Sequence, residues 1–276
     1  MASFVNFLDK VIFKLNYSKI NIVKTLLFNF RTMPFKAAVK LPVFLYGNVD
    51  TYLLKGKVVF QDCDVKRGMV RMGMNQEFLG TVKGASLIVL YPNSKLIFTG
   101  NSEFSSNFLL RTGEGAELKI GKDTFFGSSV KLVCIKKIVI GHCSRIGFES
   151  QLIDSNFHYT YNLEKKNVSP REGEINIGNY NWIGNRTTIS KGTSTNPFTI
   201  IANSSIVNRD YTTIEDEYVV LAGQPAKVLA KNIRRIYDLE LENRIFEIFK
   251  NDSEVIGKKI KDEIEISFNV LKKQVK

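Results

Sequence analysis

Two histidines occur in the 276 residues, and one of them, His158, closes the run DSNFH at 154–158. An imidazole, with an unperturbed pKa near 6.5, can accept a proton at neutral pH. It therefore suits the general-base step that a hydroxyl needs before it can attack, since an alcohol is a poor nucleophile. Asp154 and Asn156 precede it at alternate positions. They can orient the imidazole through its second nitrogen, hydrogen-bond substrate hydroxyls, or form no more than a polar turn. Trp182 is the only tryptophan. Its flat face suits a sugar ring or a long apolar ligand arm such as pantetheine; the alternative is an aromatic that covers the edge of the fold. Cys63, Cys134 and Cys143 are odd in number and unclustered, so neither a disulfide framework nor a zinc site is expected.

The elements that must position these groups announce themselves through a period of six. Ile120, Phe126, Leu132 and Ile138 fall at six-residue steps; after a two-residue slip come Ile140, Ile146 and Leu152, and a third array runs Ile177, Ile183, Ile189, Thr195, Ile201, Val207. Many of these residues are followed by Gly. A helix repeats at 3.6 and an ordinary strand at 2, so neither explains the pattern. A prism does: each hexapeptide is a short strand and a turn, and three make a coil of about 18 residues. Its aliphatic side chains point to the axis and Gly or a small residue sits at the corner. His158 stands at the end of the second array, just before the aperiodic stretch YTYNLEKKNVSPREGE, expected to leave the coil as a loop at about 159–174. His142, in IGHCSR, falls at an outward spacer position where a surface role is expected.

The flanks differ. Short apolar runs in 41–119, such as GKVVF and SKLIFTG, are compatible with degenerate coils of the same solenoid. Phe4, Phe7, Leu8, Val11 and Leu15 follow helical spacing, as do Ile233, Ile236, Tyr237, Leu241, Ile245, Ile248 and Phe249, and Val255, Ile256, Ile260 and Ile264 predict a second C-terminal helix. The expected organisation is a basic amphipathic helical segment at 1–40, a mainly β solenoid at 41–228 and C-terminal helices at 229–276.

Charge is uneven. The chain has 39 Lys and Arg against 27 Asp and Glu, a net +12, and residues 1–60 hold nine of the cations and two of the acids. That excess suits phosphates or an anionic membrane surface. Nucleic acid is disfavoured because basic and aromatic residues are not interleaved on a recognisable module. Asp9, Lys10 and Lys14 interrupt any secretory apolar run, and no later stretch approaches the roughly 20 apolar residues of a membrane span. A cytoplasmic location is expected, with peripheral contact at the inner face of the membrane through the N-terminus.

The arrays INIGNYNWIGNRTTISKG and IIANSSIVNRD, followed by VVLAGQPAKVL, resemble the hexapeptide-repeat acyltransferases, and DSNFH resembles the Asp-x-Asp/Asn-x-His motif of the branch that O-acetylates sugars. The resemblance spans about 115–232 and is weaker over 41–114. It implies a left-handed parallel β-helix, an exception to the right-handed crossover rule, assembled as a homotrimer with acetyl-CoA in grooves between prisms. It further implies His158 as the base, Trp182 beside it, and Asn185 and Asn203 along the pantetheine arm. Arg209, Lys227 and Lys231 would meet the cofactor phosphates. A zinc enzyme on this prism would need three histidines, so no metal is expected. The function implied is acetyl-CoA-dependent O-acetylation of a bacterial surface polysaccharide or its precursor. N-acetylation of an amino sugar and a non-catalytic scaffold at the membrane surface are the alternatives.

Overall fold

A computed structural model describes residues 19–74, 84–251 and 260–275. The helical stripe expected at Phe4–Leu15, together with Val255 and Ile256, lies outside the described residues. The chain forms two compact units, Met1–Asn232 and Ile233–Lys276.

The first unit is a β-helix whose chain visits three sheets in turn. One face stacks Val43–Leu45, Val70–Met74, Ser102–Ser105, Thr124–Phe126, Arg145–Ile146, Trp182–Ile183, Ile200–Ile201 and Val220–Gly223 in parallel, then closes with Ala226–Ala230 running antiparallel. The second face runs from Val49–Leu54 to Ile206–Val207, and the third from Lys57–Phe60 to Ile175–Ile177. The solenoid thus includes the described residues of the 41–119 stretch, whose repeat is hard to see. Its coils differ in length: stacked core partners are 22 residues apart at Phe104 and Phe126, 20 at Phe126 and Ile146, and 18 at Ile183 and Ile201.

The hexad markers are the core. Phe126, Ile146, Ile183, Ile201 and Leu221 stack along the first face, and Leu132, Leu152, Ile189 and Val207 along the second, all at most 1% exposed. The two-residue slip has a simple cause. Ile138 and Ile140 both point inward from the strand Lys137–Ile140, which adds one strand period to that coil. Thr195 replaces an aliphatic marker without leaving a polar orphan, because its hydroxyl donates to Asn181 Oδ1 (2.8 Å) and accepts from Gly178 N (3.1 Å).

The corner glycines serve closeness of stacking. A Cβ on Gly141 would lie 2.5 Å from both Gly178 C and Asn179 N of the next coil. The left-handed backbone of each corner falls two residues later and is carried by non-glycine residues: Asp123, Cys143, Tyr180 and Phe198 at one corner, with φ of 56°, 56°, 56° and 62°.

Helix α1 (Ile22–Thr32) caps the first coil, followed by the short α2 (Phe35–Ala38). Its prism-facing residues are Thr25, Phe28, Asn29 and Thr32. Asn29 donates to Val43 O (2.7 Å) and accepts from Val43 N (3.2 Å), while Thr25 Oγ1 accepts from Leu45 N (3.0 Å). The polar side of this helix therefore satisfies the backbone edge of the first strand.

In the second unit, α3 is Leu239–Asn251 and α4 is Lys261–Val275. The helical spacing read at Ile233, Ile236 and Tyr237 is not used, because Asp238 starts α3 by accepting from Glu240 N (3.0 Å) and Leu241 N (3.1 Å).

Candidate active site

The chain leaves the prism after Gln151–Ile153 on the second face and returns at Ile175–Ile177 on the third. The excursion is an ordered hairpin, Thr160–Asn162 against Asn167–Ser169. Its root is tied at several points. Asn156 N donates to Arg171 O (3.0 Å), Gly173 N to Asp154 O (2.9 Å) and Phe157 N to Ser155 Oγ (3.0 Å), and Ser155 pairs with Glu172. His158 follows Phe157, whose φ is +60°, and presents an exposed imidazole at this root. Asn156 is exposed beside it.

Asp154 is placed otherwise. Its carboxylate is fully buried and accepts from three successive backbone N–H groups of the preceding coil, Ile135 (2.6 Å), Lys136 (2.8 Å) and Lys137 (2.8 Å). Both oxygens are thus committed to the corner beneath the excursion, an anion held in a backbone nest. Asp154 fixes the platform from which His158 projects; it does not face solvent as a sugar ligand would. Burial first, and this carboxylate second, push the nearby Cys134 thiol far above its usual range, so it is not available as a thiolate nucleophile.

Trp182 lies on the first face, 42% exposed. The excursion that carries His158 leaves the prism at the corner between the second and third faces. Trp182 belongs to an outward stripe that the hexad markers conceal: Phe44, Arg71, Glu103, Phe125, Arg145, Trp182, Ile200 and Val220 pair in register, coil upon coil. From Phe125 upward, each stands one position before an inward residue, which is the sequence signal that could have found them. The lower part of the stripe borders a cleft of about 460 Å³, where Lys66, Arg67, Arg71 and Arg145 outnumber Glu103 and Asp123. Arg71 pairs with Glu103, and Arg145 donates to Asp123 O.

Asn185 and Asn203 occupy equivalent corners of adjacent coils, as the register of Ile183 with Ile201 requires, and Ser204 N donates to Asn185 O (2.9 Å). The three cations lie at the far end of the prism and differ in engagement. Arg209 donates to Ala226 O (2.9 Å) and sits over the Tyr211 ring (5.3 Å), and Lys231 pairs with Asp216 (2.8 Å), whereas Lys227 is exposed on the closing strand.

His142 is more than a surface spacer. Its Nδ1 accepts from Lys122 N (3.0 Å), and its own N–H donates to Asn179 Oδ1 (2.8 Å), so it links three coils at one corner. Burial, then Lys122 and Lys119, lower its pKa. Among the described residues no cluster of three or more His, Cys, Asp or Glu could hold a metal ion, and no helix is long and apolar enough to cross a membrane.

No protein-family model matches the chain, and no curated protein matches its sequence. Its structure is similar to those of solved acyltransferases. The polysialic-acid-specific acetyltransferase NeuO aligns with a TM-score of 0.48 and 19% identity, covering 77% of this chain and 81% of that one. A variant of the Bacillus cereus N-acyltransferase AntD, bound to dTDP and coenzyme A, gives 0.42 and 13% over 75% and 89%. The polysialic acid O-acetyltransferase OatWY gives 0.37 and 15% over 74% and 97%. The likeness is one of fold.

Proposed function

We propose that this chain is an acetyl-CoA-dependent O-acetyltransferase that modifies a sugar hydroxyl of a bacterial surface polysaccharide or its precursor. The observation that carries the reading is the exposed imidazole of His158 on a root tied down by backbone hydrogen bonds and by the buried Asp154. His158 takes the proton of the acceptor hydroxyl as its oxygen attacks the thioester carbonyl. When the tetrahedral intermediate collapses, the C–S bond breaks and the same proton passes to the CoA thiolate. Asn156, exposed beside the imidazole, is placed to hydrogen-bond the acceptor. The Asn185–Asn203 corner column would lie along the pantetheine arm, with Arg209 and Lys227 toward the phosphates and Lys231 already paired with Asp216.

The working site is formed in a homotrimer, between protomers. Trp182 is on the first face and the excursion bearing His158 leaves between the other two, so in this reading the indole that stacks on the sugar comes from the neighbouring protomer. The excursion supports this: Phe157, Tyr159, Tyr161, Leu163 and Val168 are 45–83% exposed, as residues that pack against another copy would be when one chain stands alone.

The test is release of free CoA thiol from acetyl-CoA in the presence of bacterial surface glycans, with mass spectrometry of the glycan. His158→Ala is expected to lower turnover by about 10²-fold or more with the fold intact. Unchanged turnover would remove His158 as the base. A glycan that never gains an acetyl group would sink the acceptor class, and an amide product would select amino-sugar N-acetylation instead.

A further inference from the structure

Helix α1 is inverted relative to an ordinary surface helix. Its covered side is largely polar, Thr25, Asn29 and Thr32 around Phe28, because it must hydrogen-bond the edge of the first coil. The apolar side consequently faces outward: Ile22 (69% exposed), Val23 (75%), Leu26 (41%), Leu27 (53%) and Phe30 (46%), continued by Phe35 (74%) on α2. Phe30 and Phe35 touch, their ring centroids 5.9 Å apart, so the patch is continuous across the two helices. A patch of this size on one end of a prism marks an interaction surface.

Its surroundings select the occupant. Lys19, Arg31, Lys36 and Lys40 are exposed around the patch, and residues 19–49 contain no Asp or Glu. Lys24 pairs with Asp50 (2.9 Å). A second copy docked on this surface would bring two such collars of like charge together. An apolar face rimmed by cations instead matches a bilayer with anionic headgroups, into which the side chains enter while the lysines and Arg31 meet phosphates.

We infer that the outward face of α1 and α2 is a membrane-docking surface that seats the N-terminal end of the prism on an anionic lipid bilayer. The axis of the solenoid then rises from the bilayer, so the excursion bearing His158 stands some coils above the headgroups. This inference does not depend on acyl transfer and survives if the proposed activity fails.

Flotation of the full chain with phosphatidylcholine vesicles, with and without phosphatidylglycerol, tests it. Binding is expected only to the anionic vesicles and is expected to weaken with salt. Val23→Asp and Phe30→Asp, at exposed positions, should each weaken binding more than about tenfold, and Lys36→Gln about fivefold, with an unchanged thermal midpoint. Three results would overturn the inference: no binding to anionic vesicles at low salt, binding that both Asp variants retain, or Asp variants that lower the oligomeric mass in sedimentation while vesicle binding is absent. The last would give the surface to a second copy.

Discussion

Asp154→Asn changes one oxygen to an amide nitrogen and leaves side-chain shape nearly intact, so it separates a structural anion from a catalytic helper. In the protein the carboxylate holds Ile135 N on one oxygen and Lys136 N and Lys137 N on the other, with no exposed surface. An asparagine can accept from only one side of this nest. In its better orientation the carbonyl keeps Lys136 and Lys137, and the amide turns a donor toward the donor of Ile135. The variant loses one charge-assisted hydrogen bond, each worth about 1.5–3 kcal/mol, weakens two more and buries two facing donors. The expected cost is about 3 kcal/mol. For a chain of this size that lowers the thermal midpoint by roughly 5–10 °C. Circular dichroism reads the midpoint, and amide hydrogen exchange reads the site, where protection at Ile135, Lys136 and Lys137 should fall first. If Asp154 acted only by orienting His158, the asparagine would leave the midpoint within about 1 °C and those amides protected while turnover dropped. That result would refute the reading of the nest as the platform.

Two further perturbations probe other parts of the molecule. If the site is shared between protomers as proposed, His158→Ala and Trp182→Ala subunits, each expected to be impaired alone, should regain activity when mixed, because about one quarter of randomly formed interfaces pair an intact imidazole with an intact indole; mixtures that stay at the level of the separate variants would argue against a shared site. His142 is expected to make the prism acid-sensitive. Its folded pKa lies below the unfolded value, so its contribution to stability is present above about pH 6.5 and is lost as pH falls toward the folded pKa. His142→Asn should remove that part of the difference between thermal midpoints measured near pH 7.5 and near pH 5.5, and a variant with the same pH dependence as the parent would show that His142 does not couple to folding.

What could be read in the sequence follows from which forces leave periodic marks. Ile183, Ile189, Ile201 and Val207 must reach one axis at equal steps, and Gly141 and Gly178 must let the next coil approach, so both imprint the hexad. The wider coils blur it: between Phe104 and Phe126 the strands Leu109–Thr112 and Glu117–Ile120 each turn two residues inward, so the six-residue step is broken although the stacking is not. The nest under Asp154 left no mark at all, because its partners are backbone N–H groups 17 to 19 residues earlier, which any residue but proline supplies. His142 is similar, its partner being Lys122 N. Helix α1 is the converse case, for a reading of hydrophobic spacing alone turns its buried face outward.

The two ends of the prism are finished by different means, and the difference bears on how this molecule avoids growing into a fibre. At the far end the first sheet is terminated by Ala226–Ala230, which runs back against Val220–Gly223 and offers no parallel edge to a newcomer. At the near end the edge of Val43–Leu45 is covered by α1 and the residues just before it: Asn29 meets both backbone groups of Val43, Thr25 accepts from Leu45 N, and Asn21 N donates to Leu45 O (2.8 Å). A β-helix is a polymer by construction, and here its first sheet is stopped at one end by a strand that reverses and at the other by a helix that turns its polar side to the edge.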